Sequence, residues 1–373
     1  MSKAAELANL IGNINVGGGG VNRNVIINGA MNVAQRATSA TGVGATDGYF
    51  TCDRWHLDSG ATTAGRLTMT QDSSAPSGFA NSLKLDCTTE DTSIASGEIL
   101  KIEQRIEGQN LQAFAKGTPD AKPFAVSFYV KGNASATYVC ELFDEDNSRF
   151  CSKTFNVTTD WTRVELTFPA DTTGTFDDDN ANSLAINFWL NGGGSFTSGT
   201  LNSSGFAANN GPDRAAGISS FFDSTDRTFF LTGVQLEVGQ NPTSFEHEPF
   251  SKTLEKCKRY YSEQFPPCGA GVTNGTTGVA RINVPLEVEM RTAPTISISG
   301  NIYVYSGTHA STVNSLDQTW ATPNKVEFDS TSAGTIQSGG GQGLAVYNET
   351  ASSGTINVAK SESGGGLKFD AEL

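Results

Sequence analysis

Between residues 66 and 238 the chain repeatedly alternates apolar and polar residues in short runs. Leu67-Thr68-Met69-Thr70 and Ser82-Leu83-Lys84-Leu85 place an apolar side chain at every second position, and Val164, Leu166 and Phe168 do the same. A period of two predicts strands with one buried face. Glycine, asparagine, aspartate, serine and threonine separate the runs, and these residues favour turns. The pattern predicts an all-β chain.

Some runs are almost continuously apolar, as expected for central strands of a sandwich. They are residues 124–130, 184–190 and 228–236. Residues 138–143 and 151–157 flank the polar segment 144–148, which predicts a hairpin. Many short strands with turn signals at this spacing indicate a jelly-roll β-sandwich. We expect this sandwich to cover residues 24–250.

Two short segments have helical periodicity instead. Residues 1–12 place Leu7, Leu10 and Ile11 on one stripe, and Gly17 to Gly20 follow as a hinge. A short amphipathic helix needs a partner surface, so residues 1–23 are interpreted as a docking or oligomerisation arm, with a frayed terminus as the alternative.

The second helical segment is residues 251–264, which we interpret as a helical linker. Leu254, Cys257, Tyr260 and Tyr261 fall on one stripe, and Pro266-Pro267 ends the pattern. Strand patterns return afterwards, so residues 265–373 are expected to form a smaller C-terminal β domain.

The charge balance restricts the partners. Only 17% of the residues are charged, yet the formal net charge is −14. Nucleic acid and anionic membranes both require clusters of lysine and arginine, so we expect neither as a main partner and no binding of nucleic acid. No run of 18 apolar residues is present, so we expect no membrane insertion.

Cysteine and aspartate patterns were considered as metal or cross-link sites. The six cysteines contain no CxxC pair, which argues against structural zinc. Cys140 and Cys151 lie on the two strands of the predicted hairpin; we expect free thiols, with a disulfide as the alternative. No cofactor is expected, although the acidic turns at Asp144 and Asp146 and at Asp177 and Asp179 offer oxygen ligands suited to Ca²⁺. Exposed turns are the simpler interpretation.

Catalytic patterns are weak. His56 follows Trp55 in a predicted strand, His247 lies between Glu246 and Glu248, and His309 lies in a polar stretch. Neighbouring side chains of an extended segment point in opposite directions, so Glu246 and Glu248 do not support a metal at His247. No GxSxG turn is present. Glycoside hydrolysis needs only two carboxylates, so a depolymerase remains an alternative to the expected absence of enzymatic activity.

Aromatic residues on a β surface can stack on the apolar C–H faces of sugars. The four tryptophans are Trp55, Trp161, Trp189 and Trp320. A tryptophan in an alternating strand is usually part of the core. Trp320, in the polar stretch 317–320, is therefore the best candidate for glycan contact, together with Tyr303 and Tyr305.

Several ordered motifs resemble tail-fibre and minor structural proteins of tailed bacteriophages. Residues 28–36 (NGAMNVAQR), with Gly48-Tyr49 and Asp53-Arg54-Trp55, are similar to the opening of these proteins. Residues 230–239 (FLTGVQLEVG) and 243–246 (TSFE) are similar to the end of their carbohydrate-binding-like jelly roll. Residues 257–261 (CKRYY) and 290–295 (MRTAPT) look like the following segments.

The resemblance implies a virion protein assembled in the host cytoplasm, commonly a homotrimer, that contacts other virion proteins and in some members host glycan. We therefore expect a trimeric tail fibre or appendage attached by its N-terminal arm and contacting host surface glycan. A purely architectural head-fibre or connector protein is the alternative. The resemblance identifies no sugar-binding residue that can be transferred to this chain.

Overall fold

The computed structural model describes residues 3–4, 22–264, 270–273, 280–299, 302–306, 309–313, 318–322, 325–330, 355–359 and 366–373. The chain contains two compact units, residues 1–253 together with Leu373, and residues 254–372. Lys3 and Ala4 are helical. The predicted docking residues Leu7, Leu10 and Ile11 lie outside the described residues.

The described residues of the first unit form thirteen strands. They are β1 (Ser39–Val43), β2 (Gly48–Tyr49), β3 (His56–Asp58), β4 (Arg66–Asp72), β5 (Ser82–Thr89), β6 (Ile99–Glu107), β7 (Phe124–Gly132), β8 (Ala136–Asp144), β9 (Arg149–Val157), β10 (Thr162–Phe168), β11 (Asn182–Gly192), β12 (Ala207–Ala208) and β13 (Thr228–Val238). Helix α1 (Gly194–Thr197) and four 3₁₀ turns (Gly108–Asn110, Gln112–Phe114, Gly211–Asp213 and Phe221–Asp223) lie in the connections.

These strands form the predicted jelly-roll β-sandwich. One sheet has the order β1-β4-β5-β13-β7-β10 and the other has the order β12-β9-β8-β11-β6-β3-β2. We call them sheet A and sheet B. Their inner faces meet in one core, in which the Phe128 ring of sheet A lies 5.0 Å from both Phe155 and Phe188 of sheet B. The fold class is confirmed.

The pairing of β8 with β9 confirms the predicted hairpin. Leu142 lies opposite Cys151, whereas Cys140 lies opposite Lys153. The two cysteines are therefore offset along the ladder, and both are buried free thiols.

Two local predictions were wrong. The helix predicted over residues 251–264 is shorter: helix α2 is Phe250–Lys258, and β14 (Tyr261–Gln264) is a strand that pairs with β23 (Gly366–Asp370). The spacing of Tyr260 and Tyr261 fits a longer helix, but Tyr261 pairs with Asp370 of β23 instead. This strand pairing satisfies the backbone N–H and C=O groups that a continued helix would have satisfied. Residues 25–27 (Val-Ile-Ile) are β-branched and apolar, which predicts a strand, but they are not one, although the Val25 amide donates to Leu236 O.

The second unit contains two sheets among its described residues. A three-stranded sheet has the order β14-β23-β17, where β17 is Thr295–Ser299. The other sheet has seven strands in the order β19-β18-β22-β15-β16-β21-β20. Their bounds are β15 (Ala270–Thr273), β16 (Ala280–Pro285), β18 (Ile302–Ser306), β19 (His309–Val313), β20 (Gln318–Thr322), β21 (Lys325–Ser330) and β22 (Thr355–Ala359). No helix in the described part of the chain is long and apolar enough to cross a membrane.

Candidate functional site

The motifs at residues 28–36 and 53–55 meet in one buried junction around Asn28. The Asn28 amide donates to Val33 O at 2.9 Å and to Asp53 O at 3.0 Å, and its Oδ1 accepts the Val33 amide at 3.0 Å. Trp55 Nε1 donates to Asn28 O at 3.1 Å. Asn28 has a φ of 58°, a left-handed conformation that asparagine tolerates better than most residues. These motif residues therefore have a structural role.

The motif at residues 243–246 binds residues 22–24, the segment that leads into the sandwich. The Glu246 carboxylate accepts the backbone amides of Asn22, Arg23 and Asn24 at 2.6, 2.9 and 3.1 Å. Burial alone would raise the pKa of Glu246, but these amide hydrogen bonds and the charge of Arg23 lower it below its usual value. Glu246 is thus engaged by backbone, not available as a metal ligand.

A small recess opens beside this junction. It is lined by Asn24, Ile26, Asn28, Gly29, Ala30, Asn32, Phe245, Glu246, His247, Glu248 and Thr253 and has a volume of about 30 Å³. One bound water needs about 10–15 Å³ of such cavity volume, so the recess has room for about two water molecules and not for a sugar ring. His247 packs its ring 5.1 Å from Phe79 and 4.9 Å from Phe245. Within the described residues no group of three His, Cys, Asp or Glu side chains could hold a metal ion.

The outer side of sheet B carries a dense layer of charged groups, which we call the charged face. Its members are His56, Lys101, Glu103, Arg105, Glu141, Asn187 and Arg214. Arg214 Nε lies 2.7 Å from Glu141 Oε1, and Asn187 Nδ2 and Trp189 Nε1 donate to Glu141 Oε2 at 2.8 and 2.9 Å. Arg105 Nη2 lies 2.6 Å from Glu103 Oε1. Each buried carboxylate of this layer has a cationic partner.

Carboxylates with opposite pKa shifts are the pattern expected of an acid–base pair, so the charged face was considered as a catalytic site. Burial alone would raise the pKa of Glu103, but His56, Lys101 and Arg105 lower it well below its usual range. Partial burial raises the pKa of Glu145, but this residue lies in the exposed turn between β8 and β9, outside the charged face. Glu103 is only 2% exposed and Glu141 is fully buried. Substrate cannot reach Glu103 or Glu141, and both are already paired with cations, so these two carboxylates have a structural role.

The two acidic turns proposed for calcium are joined by a hydrogen bond, and a buried lysine lies beside the first of them. The Asp177 amide donates to Asp146 Oδ2 at 2.9 Å. The buried Lys116 ammonium lies 2.5 Å from Asp144 Oδ2 and 3.2 Å from Asp171 Oδ2, and it donates to Thr173 O and Gly174 O at 2.9 and 2.7 Å. Asp179 Oδ1 accepts the Ala181 amide. Lys116 thus supplies the positive charge at this site.

The outer side of sheet A carries aromatic and basic side chains in alternation. We call them the aromatic strip: Lys84, Tyr129, Lys131, Trp161, Arg163 and Phe230. Phe230 lies opposite Lys84 on β5 and opposite Lys131 on β7. Both ammonium groups lie 5.4 Å from the centroid of the Phe230 ring, a cation–π distance. The Trp161 ring lies 6.0 Å from Phe230, edge to face.

The strip faces outward because its residues alternate with core residues. Phe128 and Val130 lie in the core on either side of Tyr129, and Phe229 and Leu231 flank Phe230 in the same way. Tyr129, Lys131 and Trp161 are half-buried, so part of each remains open to solvent.

The residues proposed for glycan contact lie on two strands of the second unit. Tyr303 and Tyr305 are on β18, and Trp320 is on β20, a strand where the sequence suggested a loop. Four strands separate β18 from β20 in the sheet order. Five strand spacings correspond to roughly 24 Å, so the structure does not bring Trp320 together with the two tyrosines.

The remaining tryptophans and histidines named from the sequence lie in the sandwich core or in strands. Trp55 and Trp189 are fully buried, as expected for core residues, and His56 is buried with Nδ1 3.1 Å from Glu103 Oε1. His309 begins β19. Sequence reasoning missed Lys116 and the charged face, because no local spacing marks a cation whose partners lie far away in the chain.

No family model and no curated protein matches the chain. Solved structures match part of it. A CBM4 carbohydrate-binding module is 14% identical with a TM-score of 0.30, covering 57% of this chain and 97% of that one. A putative sugar binding protein from Bacteroides thetaiotaomicron is 13% identical with a TM-score of 0.32, covering 58% and 99%.

The bacteriophage CBA120 tailspike protein 4 enzymatically active domain is 13% identical with a TM-score of 0.30, covering 58% of this chain and 21% of that one. At TM-scores of 0.30 to 0.32 these likenesses carry no argument about what this chain binds or does. The sheets and core described above define the class of the first unit, a jelly-roll β-sandwich.

Proposed function

We propose that this chain is a non-enzymatic structural protein of a tailed bacteriophage particle, a homotrimeric tail fibre or appendage that contacts host surface glycan. The observation that carries the proposal is the junction around Asn28. Motifs that are distant in sequence but resemble one protein family are joined there by direct hydrogen bonds. Contact in space favours a shared structural signature over unrelated local matches.

The proposed mechanism is multivalent binding. Three copies on one axis present the same surface three times, so weak contacts with glycan add up to strong attachment. Residues 1–23 would attach the chain to the particle, and the C-terminal unit would contact glycan through Trp320, Tyr303 and Tyr305. Because β18 and β20 are separated by four strands, only an extended glycan that crosses this sheet could contact all three residues.

Cryo-electron microscopy of intact particles tests the location and copy number. Three copies projecting from the tail are expected. A ring inside the tail or density on the head would favour the architectural alternative, a head-fibre or connector protein without a receptor role. Particles that lack the chain altogether would overturn the proposal.

Glycan arrays with the full-length chain test the glycan contact. We expect binding by the wild type and weaker binding by Trp320→Ala. Release of reducing ends from host polysaccharide would instead support a depolymerase.

A further inference from the structure

We propose that the aromatic strip on sheet A is a second glycan-binding surface and that it binds an extended acidic glycan. This inference rests on the proposed glycan contact but places it on the sandwich and specifies the chemistry of the sugar. It does not involve Trp320 or the C-terminal unit.

The strip combines the two features that an acidic sugar requires. A pyranose ring has apolar C–H faces that stack on aromatic rings, and the half-buried Trp161 and Tyr129 supply such rings. Phe230 is buried beneath Lys84, Lys131 and Trp161 and supports them from below. A carboxylate on the sugar pairs with an ammonium or guanidinium group. Lys131 lies between Phe230 on one neighbouring strand and the Trp161 end of β10 on the other.

Two of the three cationic groups of the strip pair with carboxylates of the protein, and one does not. Lys84 Nζ lies 2.8 Å from Asp86 Oδ2, and Arg163 pairs with Glu165. Lys131 has no carboxylate partner among the described residues, and its Nζ lies 5.4 Å from the centroid of the Phe230 ring. The Lys131 ammonium beside these aromatic rings therefore supplies a local positive charge for an anion, although the chain as a whole carries a net charge of −14.

The geometry of the sheet makes the surface elongated. Lys131 and Tyr129 follow one another on the outer side of β7, and Arg163 lies opposite Tyr129 on β10. Side chains on one face of a strand recur at about 6.6 Å. A linear polysaccharide lying along β7 would therefore meet Lys131 first and the Tyr129–Arg163 pair next.

Other occupants fit less well. Nucleic acid requires a broad basic surface, which this acidic chain does not have. The core of a protein interface is depleted of lysine, whereas lysines flank the Phe230 ring on both sides. These observations favour the glycan over a second copy of the chain.

Calorimetric titration of the full-length protein tests the inference with a hexasaccharide of galacturonic acid and with its methyl ester, which has the same rings without the charges. We expect the wild type to bind the acid about tenfold more tightly than the ester. Trp161→Ala should weaken binding of both ligands by about tenfold. Lys131→Ala should reduce the affinity for the acid to that for the ester, and Lys131→Arg should restore it.

Two matched variants serve as controls. Lys122→Ala makes the same change in net charge at the start of the β7 segment, and Thr68→Ala lies on the outer side of β4; neither should alter binding. Acid binding that is lost in Trp320→Ala but kept in Trp161→Ala and Lys131→Ala would overturn this inference and retain the proposed glycan contact. Equal affinity for acid and ester, or no binding of either, would also overturn it, and the glycan array would then decide the wider proposal separately.

Sedimentation of the same variants identifies the competing occupant. If Trp161→Ala or Lys131→Ala changes the oligomeric state instead of glycan affinity, the strip is a contact between copies and the inference is wrong.

Discussion

At the scale of single residues, Lys116 has the most demanding environment in the sandwich. Its ammonium is fully buried between two carboxylates, those of Asp144 and Asp171, and two backbone carbonyls. A buried charge costs several kcal/mol unless it is paired and hydrogen-bonded. Here the pairing is mutual, since Lys116 also neutralises Asp144, which is itself fully buried.

We predict that Lys116→Ala lowers the free energy of unfolding by about 3–5 kcal/mol, because it leaves a buried carboxylate without its cation. Chemical denaturation measures this, and Lys122→Ala should change stability by less than about 0.5 kcal/mol. The oxygens left behind are of the type that Ca²⁺ prefers. Millimolar Ca²⁺ should therefore raise the melting temperature of Lys116→Ala but not that of the wild type; equal shifts in both proteins would contradict this interpretation.

Glu103 connects stability to pH. Its pKa is lower in the folded protein than in the unfolded chain, so its contribution is present above the ordinary glutamate value of about 4.3 and is lost as pH falls through the lower folded value. We predict that the unfolding free energy of the wild type falls as the pH drops below about 4.3. In Glu103→Gln this dependence should be weaker. Identical slopes in denaturation series at several pH values would show that Glu103 is not responsible.

At the scale of elements, the turn at residues 28–33 connects the chain entry to the segment 53–55. Its three hydrogen bonds from the Asn28 side chain replace a regular strand at this position. The result is a compact loop held by a buried amide. The preceding apolar run is not a strand, because side chains bond its backbone: the Ile26 amide donates to Asn24 Oδ1, and Ile27 exchanges two hydrogen bonds with the Gln104 side chain.

We predict that Asn28→Ala lowers the free energy of unfolding by about 3 kcal/mol, since it removes three buried hydrogen bonds and leaves alanine in a left-handed conformation. Asn209→Ala, at an exposed asparagine, is the matched control and should be nearly neutral. The measurement is denaturant unfolding of both variants. A loss below about 1 kcal/mol in Asn28→Ala would mean that the junction is not a major source of stability.

The aromatic strip shows how strand order creates a surface that no single element contains. Lys84, Phe230 and Lys131 lie on β5, β13 and β7, which are adjacent in sheet A but separated along the chain. Each strand contributes an outward residue whose neighbours in sequence are buried. The strip is therefore a property of the sheet.

At the scale of the whole molecule, the core of the first unit is self-contained. Its buried apolar residues extend from Ile26 to Val238, and all of them belong to the β-sandwich unit. A unit with its own hydrophobic core is expected to fold alone.

We predict that a fragment of residues 22–253 unfolds in one cooperative transition with the same denaturant midpoint as the sandwich in the full-length chain. The reason is that its core cluster is complete within those residues. Circular dichroism and tryptophan fluorescence should report coincident transitions. A fragment without a cooperative transition would show that the second unit is required for folding of the first.

Much of the sandwich follows from sequence alone. The alternation of apolar and polar residues predicted β4, β5 and β10, almost continuous apolar runs predicted β7, β11 and β13, and the polar segment 144–148 predicted the hairpin of β8 and β9. These signals are local, because side-chain alternation depends only on strand geometry. The helix at residues 251–264 was overestimated, since its last residues pair with a strand more than 100 positions away.

The sites depended on tertiary structure. Sequence identified the acidic turns but not Lys116, and it identified Trp161 as one of four tryptophans but not its basic neighbours on other strands. The sequence of each strand shows which of its faces is buried. The order of the strands in a sheet depends instead on which apolar faces can cover one another in the folded chain. Pairings between distant segments bring Lys84, Lys131, Trp161 and Phe230 to one surface and Asp144, Asp171 and Lys116 to one buried site, and no spacing along the chain records either arrangement.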